Sequence, residues 1–232
     1  MHAMELGGNA PFLVLADADL GQTVAGAMVA KMRNGGEACT AANRFYVHAS
    51  IAGEFGRRLA SAMGALTVGP GLDAGVEVGP LVNEPARKKV GELVAGIVDA
   101  SARILTGGTP PDRAGYFYLP TVLAEVPPDA PILAQEIFGP VAPVVSFDHV
   151  NDAIRMANDT EGGLVAHVYT GDLAPGLRVS EALEAGMVGL NRPVVSDPAA
   201  PFGCVKQPDL GREGGHDGLL EFTESKYIAV DW

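Results

Sequence analysis

Short apolar runs alternate with helical stripes along most of the chain, and this alternation limits the fold more than any other feature of the sequence. Six runs rich in β-branched or aromatic residues have the length of buried strands: PFLVL at 11–15, RFYVHA at 44–49, ARILTG at 102–107, APVVSF at 142–147, LVAHVYT at 164–170 and GMVGLN at 186–191. Three stretches between them place apolar residues at helical spacing: Leu20, Val24, Ala27 and Met28; Ile51, Phe55, Leu59 and Met63; and Val90, Leu93, Val94 and Ile97. Strands that alternate with helices predict an α/β fold with a doubly wound, mostly parallel sheet covered on both faces.

Composition excludes several classes of partner. The 232 residues carry a net charge of −12, which argues against nucleic acid and anionic membrane surfaces because both require clustered Lys and Arg. No apolar run approaches the roughly 20 residues of a membrane span, and the first residues lack the pattern of a signal peptide, so we expect a cytoplasmic protein. The five histidines stand alone and no CxxC or Cys/His spacing suits a metal, so no metal site is predicted. Neither GxGxxG nor GxxxxGK[ST] occurs, which leaves the chain without a recognisable phosphate-binding loop.

Cys39, one of two cysteines, follows a glycine pair in NGGEACTAANR at 34–44. A catalytic cysteine needs thiolate character, and a helical turn that begins at CTAANR would direct backbone N–H groups at its sulfur. Gly35 and Gly36 would then let the backbone approach a ligand closely. The alternative is a structural residue, because free cysteine is among the most buried residue types. The motif by itself leaves both interpretations open.

Four motifs in order resemble the signatures of the aldehyde dehydrogenase superfamily. They are MELGGNAP at 4–11, GGEACTAANR at 35–44, EIFGPVAPV at 136–144 and APFGCVKQPDLGREGG at 200–215. The resemblance extends from Glu5 to about Tyr227 and is closest to the succinate-semialdehyde branch, through MELGGNAPF, KMRNGGEAC and VSDPAAPFG. Family members are about twice as long as this chain. The resemblance therefore implies a catalytic domain at 1–210 and a C-terminal segment at 211–232, with the N-terminal cofactor-binding lobe absent.

The resemblance also implies roles for single residues. Cys39 is the nucleophile that attacks an aldehyde to give a thiohemiacetal and then a thioester, and its backbone N–H is one oxyanion donor. Glu5 is the general base for thioester hydrolysis. Glu136 and Phe138 hold the nicotinamide riboside of NAD or NADP. The residues implied to contact the substrate are Arg33 and Ser196, which grip a distal carboxylate, and Phe202, which lines the pocket wall.

Several positions depart from the family pattern. Glu37 replaces a glutamine, and its charge opposes a nearby thiolate unless Arg33 neutralises it. Cys204 replaces a glycine and brings a second thiol towards the site, while Gly162 replaces a phenylalanine and loosens packing near the cofactor side. Arg192 and Pro193 stand where smaller residues are usual, which bears on the identity of the aldehyde.

The leading hypothesis is NAD(P)-dependent oxidation of succinate semialdehyde or another short aldehyde, incomplete without the N-terminal lobe. One alternative is a non-catalytic assembly fragment, and another is cofactor-independent ester or thioester hydrolysis through Cys39 and Glu5. SKYIAVD at 225–231 has the residues of an edge strand with nothing after it to cover that edge. We therefore expect a homo-oligomer that pairs through this C-terminal strand.

Overall fold

A computed structural model describes residues 7–99, 102–207 and 211–232. The strands are β1 (Ala10–Val14), β2 (Ala42–His48), β3 (Arg103–Thr106), β4 (Thr121–Ala124), β5 (Val141–Phe147), β6 (Val165–Tyr169) and β7 (Met187–Leu190). The α-helices are α1 (Leu20–Met32), α2 (Ala49–Gly64), α3 (Glu84–Asp99), α4 (Val150–Asn158), α5 (Leu173–Ala182) and α6 (Gly215–Leu220). Two 3-10 segments cover Arg33–Gly36 and Pro131–Ala134.

The strands form one sheet in the order β3-β4-β5-β2-β1-β6-β7. Every neighbouring pair is parallel except β3 and β4, which are antiparallel. The prediction of an α/β fold with a mostly parallel sheet is therefore confirmed. The run at 102–107 is a strand but not a buried one, because β3 lies at the sheet edge with its residues exposed or half-buried. The strand β4 was not among the runs identified from the sequence.

Helices cover both faces of the sheet, as expected of a doubly wound fold. On one face α1 and α2 contribute Ala27, Phe55 and Leu59 to the core. On the other face α3, α4 and α5 contribute Val90, Ala153, Val179 and neighbouring apolar residues. The sheet therefore stands between two separate layers of buried side chains. Within the described residues, no helix is both long enough and apolar enough to cross a bilayer.

The buried stripe of α1 differs from the predicted one. Leu20, Val24 and Met28 are only half-buried, and the fully buried side is formed by Thr23, Gly26, Ala27, Ala30 and Lys31. A side chain on Gly26 would overlap the hydroxyl of Tyr169, so the helix approaches the sheet through its smallest residues. The helix is thus rotated about its axis relative to the predicted orientation, and this rotation places Lys31 in the interior.

The C-terminal segment forms α6 and then continues to Trp232 without helix or strand. Its start is tied to the preceding segment, because Phe202 and Glu213 exchange two backbone hydrogen bonds of 2.7 and 2.8 Å. Residues 223–232 are exposed throughout. Among the described residues, 225–231 forms no strand and pairs with none, and its pairing with a second copy stays a prediction.

Candidate active site

Most of the predicted site residues lie near the amino ends of the parallel strands. Gly7–Asn9 directly precede β1, Cys39 lies in the turn before β2, and Glu136 and Phe138 precede β5. The amino ends of parallel strands meet at one edge of a sheet, so these segments are neighbours in space. Open α/β sheets usually bind ligands at the opposite, carboxyl edge. The sequence motifs, rather than this fold rule, therefore locate the candidate site.

Cys39 lies in a turn and not at the start of a helix, so the expectation of helical N–H groups around its sulfur is wrong. Asn34 and Gly35 adopt left-handed backbone angles, with φ of 53° and 63°, and turn the chain away from α1. The N–H of Ala41 then donates to the carbonyl of Ala38 at 2.9 Å, and β2 begins at the next residue. The strong strand propensity of RFYVH explains this outcome. Any activation of the thiol must come from the residues around the turn.

The glycine pair Gly7-Gly8 joins the cysteine turn to the Glu136 loop. A side chain on Gly8 would overlap the carbonyl oxygen of Cys39, and a Cβ on Gly7 would lie 2.9 Å from Glu136 Oε2. The N–H of Gly8 donates to Glu136 Oε1 at 3.0 Å. Both positions thus require glycine, because Gly7 packs closely against Glu136 and Gly8 packs closely against Cys39. Glu5, the predicted base, lies outside the described residues.

Glu136 and Phe138 have the surroundings expected of ligand-binding groups. Burial raises the pKa of Glu136, while the Gly8 N–H, Lys89 and Lys31 act in the opposite direction. Its carboxylate lines a groove of about 490 Å³ together with Gly7 and Gly8. Phe138 holds an uncommon φ of 54° and leaves its side chain 37% exposed. Strained backbone of this kind persists where the surrounding structure imposes it, and it is concentrated at functional sites.

Arg33 and Ser196 line one crevice beside the cysteine turn, and their role as a carboxylate grip stays a prediction. Ala38 and Thr40, the neighbours of Cys39, line the same crevice. Arg33 Nη2 donates to Thr40 Oγ1 at 3.2 Å. The free volume of the crevice is about 10 Å³, about the space of one water molecule. The crevice is therefore too small for a four-carbon ligand unless the exposed side chains of Arg33 and Ser196 move.

Glu37 does not pair with Arg33, contrary to the neutralisation considered from the sequence. Its Oε1 accepts a hydrogen bond from the Val82 N–H at 3.2 Å, and it lines a separate cavity of about 190 Å³. Among the described residues, Arg33 has no carboxylate within salt-bridge distance. The Glu37 carboxylate thus has its hydrogen-bond partner on the side of the loop away from the crevice.

Phe202 and Cys204 pack in a small apolar cluster with Cys39. Cys204 is 4% exposed, whereas Cys39 is half-buried. Phe202 packs against the same cluster but is not among the residues that line the crevice of Arg33 and Ser196, so its place in a pocket wall stays a prediction. The second thiol is therefore close to the candidate site, but less accessible than the first.

Two other predictions about glycines have different outcomes. A side chain on Gly36 would overlap the carbonyl oxygen of Gly139. The space beside this glycine is therefore filled by protein backbone, and the expectation that a ligand approaches there is wrong. Gly35 is required by its backbone angle, since a Cβ there would meet nothing within 4 Å. Gly162 lines the groove beside Glu136, and looser packing on a cofactor side stays a prediction.

Lys31 is a buried cation that the sequence analysis did not single out. It is fully buried, and its Nζ donates to Asn43 Oδ1 at 3.0 Å. Burial lowers the pKa of Lys31 to about 7, and the charge of Glu136 partly opposes this shift. The sequence contains a signal of this burial, because Lys31 follows Thr23 and Ala27 at four-residue spacing on one helix face.

His167 is the second residue that sequence reasoning set aside. It is 1% exposed on β6 and lines the crevice that contains Arg33 and Ser196. A lone histidine in an apolar strand gives no signal of this position, because the crevice forms only when β6 lies beside the cysteine turn.

Comparisons with known proteins identify the family and fold of the chain. The sequence matches the family described as the aldehyde dehydrogenase family over residues 1–228. It is 58% identical over 228 residues to a succinate-semialdehyde dehydrogenase of Paenarthrobacter nicotinovorans, covering 98% of this chain and 51% of that protein. It is 45% identical to the NADP(+) succinate-semialdehyde dehydrogenase of Escherichia coli strain K12, covering 98% of this chain and 47% of that protein.

The structure is similar to a crystal structure of aldehyde dehydrogenase from Brucella melitensis biovar abortus 2308, with a TM-score of 0.94 and 46% identity. That alignment covers 97% of this chain and 46% of the other. The chain thus spans about half the length of the curated relatives it matches. The sequence match and the shared fold cover nearly every residue of the chain, and it belongs to the aldehyde dehydrogenase family.

Proposed function

We propose that this chain provides the catalytic half of an enzyme that oxidises succinate semialdehyde, or another short aldehyde with an anionic far end, using NAD or NADP. The observation that supports this best is the crevice in which Arg33 and Ser196 stand beside the turn of Cys39. A guanidinium and a hydroxyl suit a carboxylate at the end of the substrate opposite the reacting carbon. Two relatives, both named succinate-semialdehyde dehydrogenases, agree with this substrate class.

Cys39 is the proposed nucleophile. Its thiolate adds to the aldehyde carbon, forming a C–S bond while the carbonyl electrons move to oxygen. The Cys39 N–H is the proposed donor to that oxyanion. Phe202, in the same apolar cluster as Cys39, would exclude water from the thiohemiacetal.

The groove next to Gly7 and Gly8 fits the riboside end of a nicotinamide cofactor. Glu136 offers carboxylate oxygens to ribose hydroxyls, and the exposed ring of Phe138 offers a face for the nicotinamide. A bound NAD or NADP supplies the acceptor for the hydride that converts the thiohemiacetal to a thioester. The choice between NAD and NADP stays open.

Glu5 is the proposed base for the last step. Its role is to take a proton from the water that attacks the thioester carbon, after which the Cys39 sulfur leaves as thiolate. Gly7 and Gly8 contact Glu136 and Cys39, which supports a position for this motif between the cofactor and the nucleophile.

The test combines the purified chain with the part of the Paenarthrobacter nicotinovorans relative that it does not span. With succinate semialdehyde, we expect no reduction of NAD or NADP by the chain alone and measurable reduction by the pair. Cys39→Ala should abolish this activity, with Cys204→Ala as the matched control. Arg33→Gln should lower the preference for succinate semialdehyde over butanal about ten-fold, the scale of a lost charged hydrogen bond.

Each alternative has a distinct outcome. Hydrolysis of p-nitrophenyl acetate by the chain without cofactor, lost in Cys39→Ala, would favour a cofactor-independent hydrolase. A folded complex that neither reduces cofactor nor hydrolyses the ester would favour an assembly fragment and overturn the proposal. If the parent and Arg33→Gln are equally active on butanal and neither prefers succinate semialdehyde, the proposed substrate class is refuted. The proposal of aldehyde oxidation through Cys39 would still stand.

A further inference from the structure

His167 stands between the two sides of the substrate crevice. It lies on β6, in register with Phe12 of β1 and Gly189 of β7. Its ring lies 5.6 Å from the Phe12 ring, and its side chain is almost fully buried. Burial lowers the pKa of His167 to about 4, so the imidazole is neutral at neutral pH. A neutral imidazole carries one N–H donor and one acceptor nitrogen.

The donor nitrogen faces the segment that carries Ser196. His167 Nδ1 lies 3.2 Å from the carbonyl oxygen of Arg192. Because that oxygen only accepts hydrogen bonds, the contact requires the proton on Nδ1. A side chain on Gly189 would overlap the same carbonyl, so the missing Cβ makes the contact possible.

The chain between β7 and Ser196 is fixed at one further point. Asn191 has a φ of 51°, and its amide group accepts from the Thr170 N–H at 3.0 Å and donates to the Thr170 carbonyl at 2.9 Å. This pair of bonds sets the direction in which the chain leaves β7. The bond from His167 to Arg192 then holds the chain against the crevice four residues before Ser196.

The other nitrogen faces the arginine side of the crevice. Nε2 of His167 is buried and has no hydrogen bond of acceptable geometry among the described residues. The Thr40 backbone nevertheless lies close enough to raise the pKa of the imidazole, which opposes the effect of burial. Thr40 is also the residue whose hydroxyl accepts from Arg33. One buried ring therefore separates the residue that orients Arg33 from the segment that carries Ser196.

We propose that His167 is a positioning residue that sets the spacing between Arg33 and Ser196 and thereby gives the crevice its preference for an anionic substrate. The inference rests on the proposed function, since it assigns a role within the same crevice. His167 acts through the Nδ1–H bond to Arg192 and does not contact the reacting atoms.

The test uses the chain by itself and does not depend on cofactor. γ-Bromocrotonate carries a reactive carbon and a carboxylate at opposite ends of a four-carbon chain, as in succinate semialdehyde, and γ-bromocrotonamide is its neutral counterpart. The Cys39 thiolate forms a C–S bond with the γ-carbon and bromide leaves. The ratio of the two alkylation rates at Cys39, measured by peptide mass spectrometry, reports anion preference and cancels general changes in thiol reactivity.

We expect His167→Phe, which keeps the ring but removes both nitrogens, to lower this ratio about two- to ten-fold, the range that one lost hydrogen bond produces. His167→Asn keeps a donor at the Nδ1 position and should restore most of the ratio. Gly189→Ala displaces the Arg192 carbonyl and should lower the ratio with the histidine intact, which keeps the test decisive if His167→Phe does not fold. His149→Phe, at an exposed histidine, is the matched control.

Arg33→Gln separates the two proposals. If it lowers the ratio while His167→Phe and Gly189→Ala do not, the role of His167 is overturned and the carboxylate grip stands. If Arg33→Gln leaves the ratio unchanged, the grip itself is absent and the inference falls with it. Equal losses in His167→Asn and His167→Phe would show that the Nδ1 donor is not the group that matters.

Discussion

The backbone carbonyl oxygen of Cys39 occupies the space that a side chain on Gly8 would fill. The same glycine donates its N–H to the carboxylate of Glu136. One residue without a side chain therefore connects the nucleophile motif to the proposed cofactor motif, and a single methyl group would push the two apart.

Gly8→Ala should destabilise the chain by about 1–3 kcal/mol, the usual cost of overpacking a close contact. Urea unfolding measures this change. Gly96→Ala is the matched control, because a Cβ there meets nothing within 4 Å and alanine is the better helix former inside α3. A Gly8→Ala chain as stable as the parent would contradict the close packing of the two motifs.

The buried charge of Lys31 should make the stability of the chain depend on pH. Its folded pKa of about 7 lies below the ordinary value of 10.5, so between these values the unfolded chain holds a proton that the folded chain has released. Stability therefore rises with pH in this window, by about 2 kcal/mol between pH 7 and pH 9.

Lys31→Met removes this titration, so the rise should be missing from its urea unfolding curves at the two pH values. Lys88→Met, at an exposed lysine of α3, should keep the rise. The same pH dependence in the parent and in Lys31→Met would show that Lys31 is not the titrating group. Lys31→Met also loses the hydrogen bond to Asn43. That loss lowers the free energy of unfolding equally at both pH values, so it does not affect the comparison.

Cys39 should be alkylated faster than Cys204 in the folded chain. The reason is accessibility, since Cys39 is half-buried and Cys204 is 4% exposed, and not the helix start that the sequence had suggested. Iodoacetamide at neutral pH followed by peptide mapping checks the order, and the same reaction in urea provides the unfolded reference. Faster labelling of Cys204 would remove support for Cys39 as the nucleophile.

Removal of residues 225–232 should convert the chain to a smaller assembly. Tyr227, Ile228, Val230 and Trp232 are all more than two-thirds exposed in the single chain, so this segment presents apolar surface that a second copy could cover. Light scattering compares the intact chain with a version that ends at Glu224. The strand is not the interface if the intact chain is monomeric or if the truncated chain assembles equally well.

The order of apolar runs and helical stripes along the chain was enough to predict the fold class. Short runs of β-branched and aromatic residues predicted six of the strands: β1, β2, β3, β5, β6 and β7. The sequence could not predict the rotation of α1, because Gly26 fits against Tyr169 only when the helix meets the sheet. Nor could it predict the turn at Cys39, where the strand that follows overrides a helical start.

Tertiary packing, by contrast, placed residues in the crevice that no sequence motif had linked to it. Arg33 and Ser196 are 163 positions apart, and His167 reaches them only because β6 lies beside β1 in the sheet. The burial of Lys31 is likewise a property of the layer above the sheet and not of its own helix. The spacing of apolar residues along the chain indicates whether a segment forms a helix or a strand. Contacts between distant elements depend instead on strand order and on the surfaces that pack together. Local patterns therefore identified the chemical groups, and long-range packing determined their surroundings.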